Sequence, residues 1–520
     1  MELAAKILLI IMTAANFVLQ ALYFTHIAQL NSYRPERYRK WCRDNDHLLV
    51  NVKRILPFAC ILLMWLYDRI PLWILFALAA AVLLITALLN LPKKAKKPLV
   101  FTARVWRLLG FEALFLAVAA FVLIVTTPIR TVGFAGLFSI IIWWWVELAL
   151  RISVPLENAI AKGFIKDARR ILAGYDNLTV VGITGSYGKT SVKTFLHALL
   201  SVKFNTLMTP GNFNTTLGVV RTVREQLRPS HEVFLVEMGA KQTGDIREIC
   251  ELVHPQYGII SAIGEQHLET FGSIENIIAT KFELADALPA DGLAVLNFDN
   301  EYIRARVVQV PYVSYGAADG STADYAASDI AVDIHGSSFT FTTPDGESKR
   351  YTTALLGRHT IQNLAGCMAL AHKLGVTLDE MVYPIRMLKP VEHRLQLLPN
   401  GFIDDAYNSN PAGFRSALDT LAQFDARRVL VTPGMVELGE REAALNEELG
   451  AYAADKCDIA VLVGERQAPP LKAGLLGAGF EEGNLYVAKN LNDALQYVRT
   501  LPPVAQQIVL LENDLPDNWV

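Results

Sequence analysis

The sequence predicts an α-helical transmembrane bundle at the amino terminus, followed by α/β domains. Long runs without charged residues fill residues 1 to about 150. After Leu178, short β-branched runs alternate with segments of helical spacing. A strand, a glycine-rich turn and a helix follow one another between Leu178 and Leu200. The chain therefore has two physically different halves, the first suited to hydrocarbon and the second to water.

The composition supports this division. Of 520 residues, 52% are apolar and only 19% are charged, and the mean hydropathy is +0.29. These values are unusual for a soluble chain of this length. The net charge of −3 gives no indication of a nucleic-acid partner. The five cysteines form no C-x-x-C pair, which indicates reduced cytosolic thiols rather than disulfides or a zinc site.

Five apolar runs are candidate membrane spans. The first run has about 24 residues without a charge, enough to cross roughly 30 Å of hydrocarbon as a helix. It is too long for a signal peptide and lacks a small-residue cleavage site. The second run is short for a full span. The runs are Ile7–Leu30, Ile55–Tyr67, Pro71–Leu91, Leu108–Thr127 and Phe134–Leu150.

The charges between the runs predict the topology. The segment Asn31–Arg54 carries seven Lys or Arg residues and Pro92–Arg107 carries six, whereas the other two connections carry one each. The positive-inside rule places both basic loops in the cytoplasm. An even number of spans must separate two loops on the same side, so the short second run should also span. Five spans then place residues after 150 inside the cell. We therefore expect a multi-pass protein of the inner membrane whose catalytic domains are cytoplasmic.

Polar and aromatic residues near the spans suggest further membrane contacts. Trp143-Trp144-Trp145 suits an interfacial aromatic belt. Val154–Leu172 has helical apolar spacing with basic residues, which predicts either an amphipathic helix on the inner leaflet or the first helix of the soluble part. Asn16 and Gln20 lie one turn apart and either line a head-group groove or hydrogen-bond a neighbouring helix.

The glycine-rich turn has the parts of a phosphate-binding loop. The apolar strand Leu178–Ile183 leads into Thr184-Gly185-Ser186-Tyr187-Gly188-Lys189-Thr190, and helical spacing follows. Glycines let backbone N–H groups approach phosphates, and the helix N-terminus adds partial positive charge. Lys189 can reach the β- and γ-phosphates, and the Thr190 hydroxyl can bind Mg²⁺.

The spacing differs from the ordinary Walker pattern, because Ile183 stands where that pattern has a glycine. The turn instead resembles that of the Mur ligases, which activate a carboxylate as an acyl phosphate and condense it with an amine. The resemblance covers roughly residues 175 to 520 and is closest to the UDP-N-acetylmuramoyl-tripeptide:D-alanyl-D-alanine ligases. Further segments match in order, namely 209–215, Val236-Glu237-Met238-Gly239-Ala240, His267-Leu268-Glu269, 280–283, Gly357-Arg358-His359, His393-Arg394, 404–411 and 434–439.

The resemblance implies a set of catalytic residues, with ATP and two Mg²⁺ ions as cofactors. Glu237 ends an apolar strand and would bind one Mg²⁺ beside Thr190. His267 and Lys281, the lysine as a carbamate, would bind the second ion. Arg394 lies where two soluble domains meet and would supply a cation on domain closure. The catalytic set is Lys189, Glu237, His267, Lys281 and Arg394.

The resemblance also implies nucleotide and substrate contacts. Asn297 and Asn363 would lie near the adenine and Asp405 at the ribose, while His359 is a further candidate at the nucleotide. The phosphates would contact Gly185, Ser186, Tyr187, Gly188, Lys189, Thr190 and Arg394. The substrates would contact Asn212, Asn214, Thr215, Tyr407, Asn408 and Asn410.

Four segments are expected: a transmembrane region at 1–153, a linker helix at 154–175, an ATP-binding domain at 176–391 and a Rossmann-like C-terminal domain at 392–520.

Soluble relatives carry a UDP-sugar domain where this chain has spans, so the acceptor carboxylate is expected to be a lipid-linked peptidoglycan precursor. The amine would be an amino acid or dipeptide. The last strand lacks the basic turn of the soluble ligases, which leaves the amine open.

Three other functions compete with a cell-wall ligase. A membrane-bound ligase for a capsule-type polymer such as poly-γ-glutamate would use the same chemistry. An ABC-type transporter would need an LSGGQ segment, which the sequence lacks. A non-catalytic scaffold would have no reason to retain Lys189, Glu237 and Lys281 together.

Overall fold

The computed structural model describes residues 2–45, 56–63, 70–90, 98–264, 268–333, 335–406, 411–436, 438, 441–464 and 466–513. The chain forms two compact units, residues 1–163 and 164–520. Every cysteine is a buried free thiol.

The first unit is helical. Its helices, α1 to α7, are Glu2–Leu30, Pro35–Asp44, Phe58–Leu63, Leu72–Leu89, Ala103–Val125, Pro128–Ile140 and Ile142–Leu172, the last of which continues into the second unit. Helix α1 packs against α4, α5 and α6. Large apolar side chains such as Trp73, Leu114 and Phe121 are more than 60% exposed. Such an apolar outer surface is what a bundle in hydrocarbon requires.

Among the described residues, three helices are long and apolar enough to cross a membrane: Ile7–Leu30, Leu72–Leu89 and Ala103–Val125. A fourth arises if α6 and α7, bent by 62°, together form one broken span. The predicted fifth run, Phe134–Leu150, is therefore not one straight helix. Of the predicted second run, Ile55–Tyr67, only residues 56–63 are described, and they include helix α3. Its other residues lie outside the described residues.

The structure decides between the interpretations left open for two features of this unit. The predicted helix over 154–172 is not a separate element, because α7 runs without a break from Ile142 to Leu172. Its last turns pack Ala168 and Ile171 into the core of the second unit, which favours the interpretation as a helix of the catalytic part. Asn16 and Gln20 hydrogen-bond each other, and Asn16 donates to Leu83 O across to α4 at 3.2 Å. The neighbouring-helix interpretation of this pair is confirmed.

The second unit contains a nine-stranded sheet in the order β2-β3-β1-β4-β5-β6-β7-β8-β9. The pairs from β2 to β7 are parallel, and β7-β8-β9 form an antiparallel extension that the sequence analysis does not anticipate. The strands are Thr179–Thr184, Thr206–Met208, Val233–Glu237, Tyr257–Ile260, Leu293–Asn297, Tyr312–Gly316, Tyr325–Asp333, Gly336–Thr342 and Ser348–Thr353. The strands nearest the phosphate loop are mostly apolar between their ends, as expected where helices cover both faces of a parallel sheet.

The helices around this sheet bury their apolar stripes on it. Helices α8 to α15 are Lys189–Leu200, Thr216–Gln226, Asp245–Val253, Leu268–Phe271, Ile274–Asp286, Glu301–Arg304, Arg358–Lys373 and Leu378–Met387. Helix α8 packs closely on α14, with Phe195 and Leu364 in one buried cluster. The loop before α8 is thereby held against a rigid layer.

A second sheet has six strands in the order β10-β11-β15-β12-β13-β14, parallel except for the β10–β11 pair. The strands are Gln396–Leu397, Phe402–Asp405, Arg427–Thr432, Ile459–Val463, Leu485–Ala488 and Gln507–Glu512. The apolar runs 402–404, 429–432, 459–463, 485–487 and 508–511, which the sequence offers as strand candidates, all lie within these strands. Its helices, α16 to α19, are Pro411–Ala422, Glu442–Ala453, Ala468–Gly477 and Leu491–Thr500.

The sheet order decides where functional side chains meet. Strands β3, β1, β4 and β5 are neighbours and parallel, so their carboxyl ends share one edge of the sheet. In this register Glu237 lies opposite Ile183, directly before the glycine-rich turn. Ligand sites of parallel sheets lie at this edge.

Candidate active site

The glycine-rich turn after β1 is shaped so that two of its residues must be glycine. Gly188 has φ of 78° and begins helix α8, and a Cβ there would lie 2.6 Å from Asn363 Oδ1. At Gly185 a Cβ would lie 2.1 Å from Ser261 Oγ. These close approaches, together with the left-handed φ, exclude larger residues. The turn therefore presents bare backbone at the helix N-terminus, where an anion binds best.

The end of β4 holds the turn in place. The Ser186 N–H donates to Ala262 O at 2.6 Å, and the Ser261 hydroxyl donates to Tyr187 O at 2.5 Å. Asn297, at the end of β5, donates to Ser261 O at 2.7 Å. Asn297 thus supports the turn through Ser261, a role that the sequence does not indicate.

Lys189 folds back over its own loop. Its Nζ donates to Gly185 O at 2.7 Å and to Ser186 O at 3.0 Å. The pKa of Lys189 is lowered to about 8, mainly by burial; the charge of Glu237 opposes this change and the charge of Arg394 adds to it. A phosphate at this position would restore the usual basicity, because it adds negative charge beside the ammonium.

Glu237 is the centre of the site. Only 1% of its surface is exposed. The Thr190 hydroxyl donates to Oε1 at 3.3 Å, and Asn214 Nδ2 donates to the same oxygen at 3.0 Å. Lys193 Nζ forms an ion pair with Oε2 at 2.9 Å. The carboxylate is therefore held in a buried position next to the phosphate loop, with a cation at one oxygen and a hydroxyl and an amide donor at the other.

Lys193 is a residue that the sequence analysis missed. It is 1% exposed and also donates to Gly211 O at 2.6 Å, so it joins helix α8 to Glu237 and to the loop around Asn212. The sequence does contain a signal for this residue. Lys193 lies one helical turn after Lys189, between the apolar residues Val192 and Leu196 on the buried face of the helix. A lysine on an apolar face requires a buried carboxylate as partner.

Lys281 is buried on helix α12. Burial lowers the pKa of Lys281 well below its usual value, and the charge of Lys189 lowers it further. Two residues later, Glu283 accepts the N–H groups of Gly244 and Arg247 at 2.7 and 2.9 Å, which caps helix α10. These hydrogen bonds hold α12, the helix that carries Lys281, against the N-terminus of α10.

The oxygen atoms of Thr190 and Glu237 fit a magnesium ion, which prefers hard oxygen ligands and shares them with substrate phosphates. No group of three or more His, Cys, Asp or Glu side chains arranged to hold a metal occurs among the described residues. The predicted ligand His267 lies outside the described residues.

A cavity of about 330 Å³ opens beside the turn. Asn297, Tyr187, His359 and Gln362 line it. The contact of Asn297 with the base stays a prediction. Gln362 donates to Asp299 at 2.7 Å. Asn363 does not line this cavity but a smaller one of about 90 Å³, next to Gly188. Each cavity is lined by residues of the domain with the nine-stranded sheet and by residues of the domain with the six-stranded sheet.

The smaller cavity also contains Arg394, Asp405 and Glu512. His393 and Leu395 flank Arg394 with left-handed φ values of 59° and 48°, which only a tightly constrained backbone imposes on such residues. Asp405 accepts the Leu395 N–H at 3.0 Å. Burial raises the pKa of Asp405 to about 6, although a hydrogen bond with Glu512 opposes the change. Asp405 therefore contributes to this domain junction, and its contact with ribose stays a prediction.

The predicted substrate residues divide into three groups. Asn214 holds Glu237, whereas Thr215 caps helix α9 by accepting the Gly218 N–H at 3.4 Å. Asn212 is exposed at the same edge of the sheet. The remaining predicted substrate residues, Tyr407, Asn408 and Asn410, lie outside the described residues.

Family models match both sheets' domains. The Mur ligase middle domain matches residues 183–371, and the Mur ligase, glutamate ligase domain matches residues 393–511. The UDP-N-acetylmuramoyl-tripeptide–D-alanyl-D-alanine ligase of Escherichia coli K12 is 33% identical over 355 residues, which are 66% of this chain and 78% of that protein. This chain belongs to the Mur ligase family. It is thus an ATP-dependent acid–amino-acid ligase.

Further Mur ligases are similar to this chain in sequence and in fold. The Haemophilus influenzae protein of the same name is 33% identical over 322 residues, 58% of this chain and 70% of that one. Among solved structures, MurF from Acinetobacter baumannii has a TM-score of 0.61 at 28% identity and covers 68% of this chain and 77% of its own. MurF from Thermotoga maritima in complex with ADP has a TM-score of 0.61 at 25% identity, covering 68% and 80%.

We predict that Lys193→Met destabilises the protein strongly, because it leaves the Glu237 charge buried without its cation. Breaking such a pair costs about 3–5 kcal/mol, or a fall of roughly 6–20 °C in the thermal midpoint. The double variant Lys193→Met/Glu237→Gln should lose much less than the sum of the two single variants. Lys203→Met, at an exposed lysine, is the control. Additive losses, or a Lys193→Met midpoint equal to that of the wild type, would contradict the assignment.

We predict that ADP affinity falls as pH rises through about 8, by about tenfold per unit at higher pH, because the free enzyme then loses the Lys189 proton that bound phosphates require. Calorimetry in buffers of different ionisation enthalpy should show proton uptake on binding above that pH. Lys189→Arg keeps its charge and should show no such fall. An affinity that is flat across pH 8 in the wild type would be inconsistent with this role.

Proposed function

We propose that this ligase activates the carboxylate of a muramoyl tripeptide as an acyl phosphate and joins it to D-alanyl-D-alanine. The proposal is carried by one observation: the buried Glu237 carboxylate is held beside Thr190 at the phosphate loop, within the field of Lys189 and Arg394. This arrangement suits a reaction that brings an anionic carboxylate to a polyphosphate.

The loop and its neighbours would perform the first step. Backbone N–H groups of 185–190 and the Lys189 ammonium would hold the phosphates, and Arg394 would approach from the C-terminal domain. The acceptor carboxylate oxygen attacks the γ-phosphorus while the bond to ADP breaks. The amine then attacks the acyl carbon, and phosphate leaves. Magnesium, when bound, would neutralise charge on the transferred group.

Two ions would be held by this chain's residues. Thr190 and Glu237 would hold one, and His267 with a carbamylated Lys281 the other. The environment of Lys281 supports the carbamate, because its lowered pKa favours the neutral amine that reacts with carbon dioxide. The nucleoside would occupy the cavity of about 330 Å³ lined by Asn297, with Asn363 beside the phosphate loop and Asp405 near the ribose. Asn212, Asn214, Thr215, Tyr407, Asn408 and Asn410 would contact the substrates.

The acceptor is proposed to be lipid-linked. The relatives' names specify a UDP-linked muramoyl tripeptide and D-alanyl-D-alanine. In this chain the matched family models begin at residue 183, and apolar helices precede them. A substrate carried by the bilayer would be delivered by such helices in place of a sugar-nucleotide domain.

We further propose the domain boundaries 1–153, 154–175, 176–391 and 392–520, in which 154–175 is the second half of helix α7 and the turn after it. A multi-pass inner-membrane location with cytoplasmic catalytic domains is part of the same proposal. The loop charges support the orientation. The parallel order β11-β15-β12-β13-β14 supports a Rossmann-like C-terminal domain.

We predict that detergent-solubilised protein releases ADP with lipid-linked tripeptide and D-alanyl-D-alanine together, and with neither alone. The screen should include the UDP-linked tripeptide, poly-γ-glutamate, single amino acids and the inactive control Lys189→Ala. Equal turnover of UDP-linked and lipid-linked acceptors would rule out the lipid-linked assignment. Preference for a glutamate polymer would replace the cell-wall acceptor, and turnover that persists in Lys189→Ala would refute the phosphate-loop assignment.

We predict that protein incubated with ¹³C-bicarbonate shows a carbamate resonance that Lys281→Arg lacks, since an arginine cannot form it. Lys193→Arg, which replaces another buried lysine, should keep the resonance. Its absence from the wild type, or its persistence in Lys281→Arg, would exclude carbamylation at this position.

A further inference from the structure

A basic groove lies in the helical unit, between helix α2 and the first three turns of α7. Its volume is about 790 Å³. Arg39, Cys42 and Arg43 line it from α2. The other side of the groove comprises Ile141, Trp143, Trp144, Trp145, Glu147, Leu148 and Arg151. Nothing in the catalytic chemistry described above uses these residues.

The groove is built on a packed frame. Tyr38 and Cys42 lie one turn apart on α2, are buried, and join the apolar cluster that contains Val146 and Leu150 of α7. The Tyr38 hydroxyl donates to Trp143 O at 3.1 Å. Tyr38 and Cys42 pack against the bundle. Arg39 and Arg43 each follow one of these residues in α2 and line the groove. The spacing between the two helices is therefore fixed.

The arginines are held in place by a single carboxylate. Glu147 is 7% exposed, and its Oε1 lies 2.5 Å from Arg39 Nη2 and 3.0 Å from Arg151 Nε. Both arginine side chains remain about half exposed, at 56% and 43%, so they keep donors for a ligand. With Arg43, three guanidinium groups face one carboxylate in the groove lining. That excess of positive charge, with rigid planar donors, matches phosphate oxygens.

The remaining wall is apolar and aromatic. Trp144 is 65% exposed and Leu148 is 41% exposed. Tryptophan with adjacent arginine is typical of the level where acyl chains meet head groups. The segment that carries α2 is the basic loop predicted to lie in the cytoplasm. A ligand with a phosphate head and a hydrocarbon tail therefore fits both walls.

We propose that this groove binds the diphosphate of the lipid-linked acceptor. The inference rests on the proposed function, because the relatives' acceptor is joined to its carrier by the diphosphate of UDP, and a lipid-linked acceptor keeps a diphosphate at that position. The excess of cations matches a diphosphate better than the single charge of an ordinary phospholipid. Arg39 and Arg151 bind the diphosphate oxygens, Glu147 positions both guanidiniums, and Trp144 covers the first part of the tail.

The test measures binding to the full-length protein in neutral detergent, without ATP, by tryptophan fluorescence and native mass spectrometry. The probes are a short-chain polyprenyl diphosphate, phosphatidylglycerol and UDP. We expect the polyprenyl diphosphate to bind at least tenfold more tightly than either alternative. Arg39→Gln/Arg151→Gln should weaken it at least tenfold, and Arg39→Lys/Arg151→Lys should restore part of that loss, since charge without the planar fork remains. Arg130→Gln, at an exposed arginine on α6, is the matched control and should bind as the wild type does.

Each other outcome overturns the proposal. Equal binding of phosphatidylglycerol would make the groove a site for general anionic lipid, and preferred binding of UDP would make it a sugar-nucleotide site. Unchanged binding in the double glutamine variant would place the ligand elsewhere.

A second readout separates this inference from the proposed function. With lipid-linked tripeptide as acceptor, the double glutamine variant should show a KM at least tenfold higher and a similar kcat. If the wild type turns over only the UDP-linked acceptor while the groove still binds polyprenyl diphosphate, the proposed acceptor fails and the groove is not an acceptor site. If lipid-linked turnover is normal in the variant, the groove assignment alone fails.

Discussion

The active site depends on the buried ion pair between Lys193 and Glu237. The parallel register of β1 and β3 brings Glu237 opposite Ile183, one step before the phosphate loop. A carboxylate at that depth would lose its charge or its position without a cation beside it. Lys193 supplies that cation from the helix that the loop itself begins. The turn, helix α8, strand β3 and the loop at Gly211 are thus held together by one pair of charges.

Around this pair the site accumulates positive charge. Lys189 lowers the pKa of Lys281, and Arg394 lowers that of Lys189, because each cation disfavours the next. Such crowding is costly in the free enzyme and is relieved when a polyanion enters. Burial is the first cause of both shifts, and the repulsion between the cations adds to it.

The helical unit follows different physics. Its outer surface is apolar, and several buried polar groups pair with each other, as between Asn16 and Leu83 O or between Thr25 and Glu112. Charged side chains concentrate where α2 meets α7, where Glu147 holds two arginines. Under the proposed membrane location, such a concentration of charge belongs at the level of the head groups.

The sequence alone determined the two halves, the strand before the phosphate loop, the strands after residue 400 and the phosphate loop itself, because apolar periodicity and glycine spacing are local properties. It also identified Glu237, since a carboxylate after a buried parallel strand must reach the sheet edge. Only the tertiary structure decided its partners. Lys193, Ser261 and Gln362 act through contacts between elements distant in the chain, and helical spacing does not specify which carboxylate a buried lysine meets. The continuity of α7, the antiparallel β7-β8-β9 extension and the groove between α2 and α7 were likewise decided by packing, because each depends on surfaces that only the folded chain brings together.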